Sequence, residues 1–169
     1  MVIIGSGVFL FPQPVRALRE TLDRHSPGAH LIYDAAHVLG LIAGGHFQDP
    51  LAEGADVVVS STHKTFAGPQ GGLILTNDRE RAQAIGPALS PLIASNHHLG
   101  RLPALAATFW EWQTYGDAHA KAIVANAKAL GRALDERGIR LLGAELDFTE
   151  SHTLILAVSE FGESQAVGD

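Results

Sequence analysis

Lys64 stands apart from the other two lysines of the chain. Lys121 and Lys128 lie in an alanine-rich stretch of helical character, whereas Lys64 follows an apolar β-branched run and opens a glycine-rich turn, in the text DVVVSSTHKTFAGPQGG. Upstream, a second apolar run, LIYDAAH, ends on Asp34 and His37. An amine, an imidazole and a carboxylate at the ends of two neighbouring strands are the parts that a pyridoxal phosphate site needs. The amine holds the aldehyde as a Schiff base, and the carboxylate keeps a proton on the pyridine nitrogen so that the ring draws electrons. Taken singly, Asp34 reads as a helix cap and Lys64 as an exposed loop lysine. The combination with His37 and His63, and with Gly68, Pro69, Gly71 and Gly72 after the lysine, favours the site, because small residues let backbone approach a ligand closely. A lysine desolvated in such a turn loses proton affinity and becomes nucleophilic near neutral pH.

These residues need strands to position them. Apolar patterning predicts strands over Val2–Ile4, Leu31–Tyr33, Val57–Ser60 and Gly72–Leu75, a helix over Val15–His25 with Leu18 and Leu22 at helical spacing, and one helical turn over Leu51–Gly54. Runs such as VVV and LIL suit strands buried on both faces, and their alternation with helices predicts an α/β layered sheet, whose ligands bind at the carboxyl ends of strands. Asn77 or Asp78 is placed to cap a helix running to about Ile85, with Arg79, Glu80 and Arg81 on its wet side. From Leu102 to Arg137 alanine, leucine and charged residues, interrupted by Gly116 and Gly131, predict two or three long helices. Short strands are expected at Ile139–Leu142 and Thr153–Val158, as the opening of a smaller α/β unit. The expected division is residues 1–110, part of a cofactor-binding large domain, and 111–169, connecting helices and the start of a small domain.

Composition limits the function classes. The 169 residues carry a formal charge of −6 without a Lys/Arg cluster, so neither a nucleic-acid footprint nor a polybasic membrane patch is expected. There is no cysteine, which removes disulfides, thiolate metal sites and cysteine nucleophiles and agrees with a cytoplasmic location. The amino-terminal MVIIGSGVFLFPQPV lacks a basic leader and carries glycines and prolines where a signal sequence is smooth. No apolar stretch reaches the roughly 20 residues that span a bilayer.

The segments DAAHVLGLIAGG and VVVSSTHKTFAGPQGGLILTN resemble serine hydroxymethyltransferase, a family with the aspartate-aminotransferase type of pyridoxal phosphate fold. The likeness is specific in residue type and spacing over Leu31 to Asn77 and looser over Val2–His30 and Leu102–Val158. It implies a three-layer α/β/α, mostly parallel sheet, incomplete in this chain, with the Gly72 strand antiparallel to its neighbours. By the resemblance Lys64 is the Schiff-base lysine, Asp34 pairs with the pyridine nitrogen, His37 lies by the ring's phenolic oxygen, and His63 lies near the phosphate and substrate hydroxyl. Ser61 falls where the family has a threonine. The implied cofactor is pyridoxal 5′-phosphate, with tetrahydrofolate as co-substrate, and the implied reaction cleaves or forms the Cα–Cβ bond of a β-hydroxy amino acid. A small-molecule amino acid substrate, no nucleic acid or membrane partner, and either homo-oligomer formation or dependence on segments outside this chain are implied as well.

There are departures. Gln70 replaces the usual arginine, SPLIASNHHLG replaces a glycine-rich phosphate segment, and Val8 or a near neighbour stands where a phosphate-region serine is usual. The family's amino-terminal half and late arginine are absent, so little turnover is expected of this chain alone. Three alternatives stay open: a threonine aldolase or transaldolase, kept open by Gln70 and SPLIASNHHLG; a cysteine desulfurase or kynureninase type, which His37 and the THKT spacing oppose; and an inert remnant that binds a partner subunit.

Other signals are weaker. Gly5-Ser6-Gly7 lacks the third glycine of a dinucleotide loop. His97 and His98 read as an exposed loop pair rather than metal ligands, and Asp34, His37 and His46 as parts of different features rather than a metal triad. Phe109, Trp110 and Trp112 are expected to pack a helix into the core, and His152 is expected to be a satisfied structural histidine.

Overall fold

The structure, a computed structural model, describes residues 1–96, 98–159 and 161–162. Four strands form one sheet in the order β1 (Val2–Gly5), β2 (Leu31–Asp34), β3 (Val57–Ser61) and β4 (Gly72–Leu75). The first three pair in parallel and β4 is antiparallel to β3. All four expected strands are present, the first three extended by one residue where Gly5, Asp34 and Ser61 join the ladders.

The helices are α1 (Val15–His25), α2 (Leu39–Ala43), α3 (Arg79–Pro87) and α4 (Leu102–Asp135). One face of the sheet carries the core: Leu31, Tyr33 and Val58 are buried with Phe9, Val15, Val38, Leu41 and Ala120, and Leu18 and Leu22 of α1 pack against them. Buried Tyr33 donates its hydroxyl to Gln48 Oε1 at 2.9 Å, and burial pushes its pKa upward. The opposite face is open above an apolar groove lined by Ile32, Val59, Ile74 and Ile85, so the third layer of the α/β/α arrangement is incomplete.

At the amino-terminal end of β3, Asp56 fastens two helices to the sheet. Its carboxylate meets Arg19 of α1 at 3.2 Å and Arg81 of α3 at 2.9 Å and accepts from Leu31 N at 2.7 Å. Arg81 therefore turns toward the sheet, not to the wet side expected from the sequence. Asp78 caps α3 by accepting from Arg81 N at 2.9 Å.

The carboxy-terminal half departs from expectation. Residues 102–135 form one continuous helix of 34 residues, not two or three. Gly116 and Gly131 belong to the buried stripe Thr108, Gly116, Ala120, Ala127, Gly131. A Cβ on Gly44, just after α2, would lie 2.5 Å from Gly116 O and 2.4 Å from Ala120 Cβ. The missing Cβ of Gly44 thus allows the end of α2 to approach α4 at Gly116 and Ala120. The carboxy-terminal strands reduce to one antiparallel bridge, Leu141 with Leu156. Flanking bonds run from Leu142 N to Ile155 O at 3.0 Å and from Ala157 N to Arg140 O at 2.8 Å. The Leu51–Gly54 segment forms the single helical turn expected, closed by the bond from Glu53 N to Asp49 O at 2.9 Å, whereas the short α2 was not expected. The division expected at residue 110, within the long helical stretch, lies inside α4.

Candidate active site

The parallel ladder sets Gly5 beside Asp34 and Asp34 beside Val59, so the chain leaves β1, β2 and β3 at one edge of the sheet. After β2, Asp34 Oδ1 accepts from Ala36 N at 2.9 Å and Ala35 N donates to Val59 O at 2.8 Å. This tight turn delivers His37 to the strand end. After β3, buried Thr62 ties off the glycine turn: Thr62 N donates to Gly71 O at 3.0 Å, and Gly68 N donates to Thr62 O at 2.7 Å. Lys64 projects from between these ties, and its Nζ lies 3.1 Å from His37 Nε2.

A second threonine holds the two turns together. Thr65 Oγ1 donates to His37 O at 2.7 Å and accepts from Gly40 N at 3.1 Å. A Cβ on Gly40 would sit 2.2 Å from Thr65 O, so only glycine lets α2 approach the lysine turn this closely.

The structure thus brings together Asp34, His37 and Lys64. Ser61, the last residue of β3, donates its hydroxyl to Ala36 O at 3.2 Å and braces the Asp34 turn. His63 is exposed and joins the group only as the chain neighbour of Lys64; among the described residues it has no hydrogen bond. Lys64 is also exposed, so the desolvation expected of it is absent, and its environment is set by His37. Burial, with the adjacent Lys64 charge, lowers the His37 pKa, and Asp34 opposes the shift.

Sequence reasoning missed Thr65, whose only mark was its place in THKT, and the part taken by His152. The His152 ring lies parallel to His37, 7° between planes and 6.3 Å between centroids. Its Nδ1 is buried without a hydrogen-bond partner among the described residues, contrary to the satisfied histidine expected. His46 pairs with Asp117 at 2.9 Å, away from the lysine. Among the described residues no three His, Asp or Glu side chains gather as metal ligands would. His98 and Asn96 line a groove of about 520 Å³ with Gln70 and Arg101, and Arg101 donates to Gln70 O at 3.0 Å, placing a positive charge beside the substituted position. His97 lies outside the described residues. Trp112 stacks on Phe66 at 5.1 Å and donates to Phe66 O at 2.6 Å, whereas Trp110 is 74 % exposed and does not enter the core.

The donor set suits the group indicated by the sequence. An amine, an imidazole whose Nε2 faces it, and a strand-end carboxylate share one edge, and a Cβ on Gly7 would lie 3.6 Å from His37 Nε2, so the missing side chain leaves room beside that ring. A mixed α/β sheet with a lysine and an aspartate at its strand ends fits the class of lysine-dependent pyridoxal phosphate folds.

Comparisons narrow the class. The family model for serine hydroxymethyltransferase matches residues 1–168. The serine hydroxymethyltransferase of Methanobrevibacter smithii is 52% identical over 159 residues, 94% of this chain and 37% of that protein. That of Methanopyrus kandleri is 47% identical over 100% of this chain and 39% of its own length. Among solved structures, L-threonine transaldolase from Pseudomonas fluorescens in its internal aldimine state superposes with a TM-score of 0.86 at 36% identity, covering 92% of this chain and 35% of that one. The chain belongs to the serine hydroxymethyltransferase family, and it spans well under half the length of these relatives.

Proposed function

We propose that this chain is the lysine-bearing portion of a pyridoxal phosphate-dependent serine hydroxymethyltransferase that makes or breaks the Cα–Cβ bond of a β-hydroxy amino acid. The observation that carries the reading is the meeting of Lys64 Nζ and His37 Nε2 at 3.1 Å, beside Asp34 at the strand ends. Pyridoxal phosphate, when bound, supplies an electron sink conjugated to the Cα of the amino acid. Lys64 is the amine that would hold its aldehyde, and Asp34 the carboxylate that would keep a proton on its ring nitrogen. His37 would hold a proton near the phenolic oxygen and orient Lys64. Ser61 would act through the Asp34 turn, and His63, exposed beside Lys64, would meet the phosphate and the substrate hydroxyl.

The reading extends to tetrahydrofolate as acceptor, a cytoplasmic setting and a homo-oligomer. Leu92, Ile93, Leu99, Leu102 and Trp110 are exposed apolar side chains that an oligomer would cover. A second reading within the same chemistry, a threonine aldolase or transaldolase, is favoured by Gln70 and by the structural likeness to L-threonine transaldolase. Supplying the full-length protein with pyridoxal phosphate and measuring glycine formation from serine and threonine, with and without tetrahydrofolate, tests both. Folate-dependent serine cleavage supports the first, folate-independent threonine cleavage the second, and turnover of neither removes both.

A further inference from the structure

Beyond α4 the chain returns to the site. Thr149 Oγ1 donates to Leu10 O at 3.0 Å and Glu150 N donates to the same carbonyl at 2.7 Å. Ser151 Oγ donates to Phe9 O, and Thr153 N donates to Ser151 Oγ at 3.0 Å. Thr149 and Ser151 are fully buried. These bonds fix the 149–153 backbone on the loop after β1 without using the His152 side chain, and they carry its ring to a place parallel to His37.

A histidine kept only for packing would have its ring nitrogens satisfied, because an unpaired buried nitrogen costs free energy. His152 Nδ1 has no partner among the described residues. The neighbouring chemistry supplies a reason for tolerating this. An ammonium is donor-only, so His37 Nε2 receives Lys64 only while it carries no proton. A proton there would set two cations 3.1 Å apart and break the pair. The charged and titratable groups facing His37 are Lys64 from the β3 turn, Asp34 from the end of β2 and His152 from the 149–153 segment. Of these, Asp34 favours a proton on His37, and a neutral ring lying parallel to it would oppose one to the extent that it keeps water away.

We propose that His152 is a positioning residue for the Lys64–His37 pair: as a neutral imidazole parallel to His37, it shields that ring from water and keeps Nε2 an acceptor for Lys64. Burial, followed by the proximity of His37, lowers the His152 pKa, consistent with the neutral form. The inference rests on reading Lys64 and His37 as one site, but its test needs no cofactor, so failure of cofactor binding would leave it separately decidable.

The test is an NMR titration of the His37 imidazole in the full chain, comparing the wild type with His152→Ala and His152→Phe. The expected result is a His37 midpoint raised toward the ordinary histidine value by about half a unit in His152→Ala, and restored in His152→Phe, which keeps an uncharged ring. If His152→Ala does not fold, His152→Gln, which removes the ring but keeps a polar side chain, takes its place with the same expected rise. An unchanged His37 midpoint without the ring, or a phenylalanine that fails to restore it, overturns the proposal.

Discussion

Thr65 Oγ1 donates to the main-chain carbonyl of His37 at 2.7 Å, joining the turn that carries the amine to the turn that carries the imidazole. The same oxygen accepts from Gly40 N at 3.1 Å, so replacing it with a methyl group leaves two backbone groups unpaired. Thr65→Val should therefore cost about 1–3 kcal/mol, measured by denaturant unfolding, and Thr65→Ser should recover most of the loss. Equal stability of the valine variant would show that the two turns are joined by other contacts.

Gly40→Ala tests the closeness of the same turns. Its Cβ would meet Thr65 O at 2.2 Å and Thr65 C at 2.4 Å, both backbone atoms that yield only if the lysine turn moves. Overpacking of this kind costs about 1–3 kcal/mol, against a gain of roughly 1 kcal/mol in helix propensity, so net destabilisation is expected. Gly86→Ala is the control: it lies in α3 with nothing within 4 Å of the added Cβ, and the thermal midpoint should hold or rise.

Asp34→Asn should separate ligand binding from folding. An asparagine oxygen can still accept from Ala36 N, the bond that shapes the turn, so stability should stay within about 0.5 kcal/mol of wild type. The negative charge is lost, and equilibrium dialysis should show weaker retention of pyridoxal phosphate. Unfolding of this variant would instead make Asp34 a structural cap.

Acid sensitivity follows from the two parallel histidines. His37 and His152 both have folded-state pKa values lowered from 6.5, chiefly by burial. Between the lowered folded value and 6.5 the unfolded chain binds more protons. Their contribution to stability is therefore complete above about 6.5 and is lost as pH falls through the folded values. Unfolding measured from pH 8 down to pH 5 should show this decline, and His152→Phe should show less of it. A variant with the same acid slope would mean that other groups set it.

The strands were legible because VVV, LIY and LIL are apolar, β-branched or aromatic, and bounded by glycine or polar turns; the Asp34, His37 and Lys64 grouping was legible because strand ends are where such runs stop. Gly116 was not, because a glycine that ends a helix and one that admits a neighbour read alike until Gly44 is seen against it. Thr65 escaped notice because its partners are backbone atoms, which carry no residue signature. His152 escaped because it is distant in sequence from His37 and reaches it only after the 34-residue α4 has turned the chain back. The exposure of Lys64 was missed because a glycine-rich turn predicts close approach of backbone but not what covers the side chain.

The three lysines allow a direct test of the central claim. Lys128 is held by Asp147 at 2.8 Å and Lys121 lies on the exposed side of α4, whereas Lys64 faces His37 beside Asp34. Incubation of the protein with pyridoxal phosphate, borohydride reduction and peptide mapping should place the label on Lys64, with little on the other two and a marked loss at Lys64 in Asp34→Asn. Label spread evenly over the three lysines, or concentrated on Lys121 or Lys128, would contradict the assignment of Lys64 as the cofactor-holding amine.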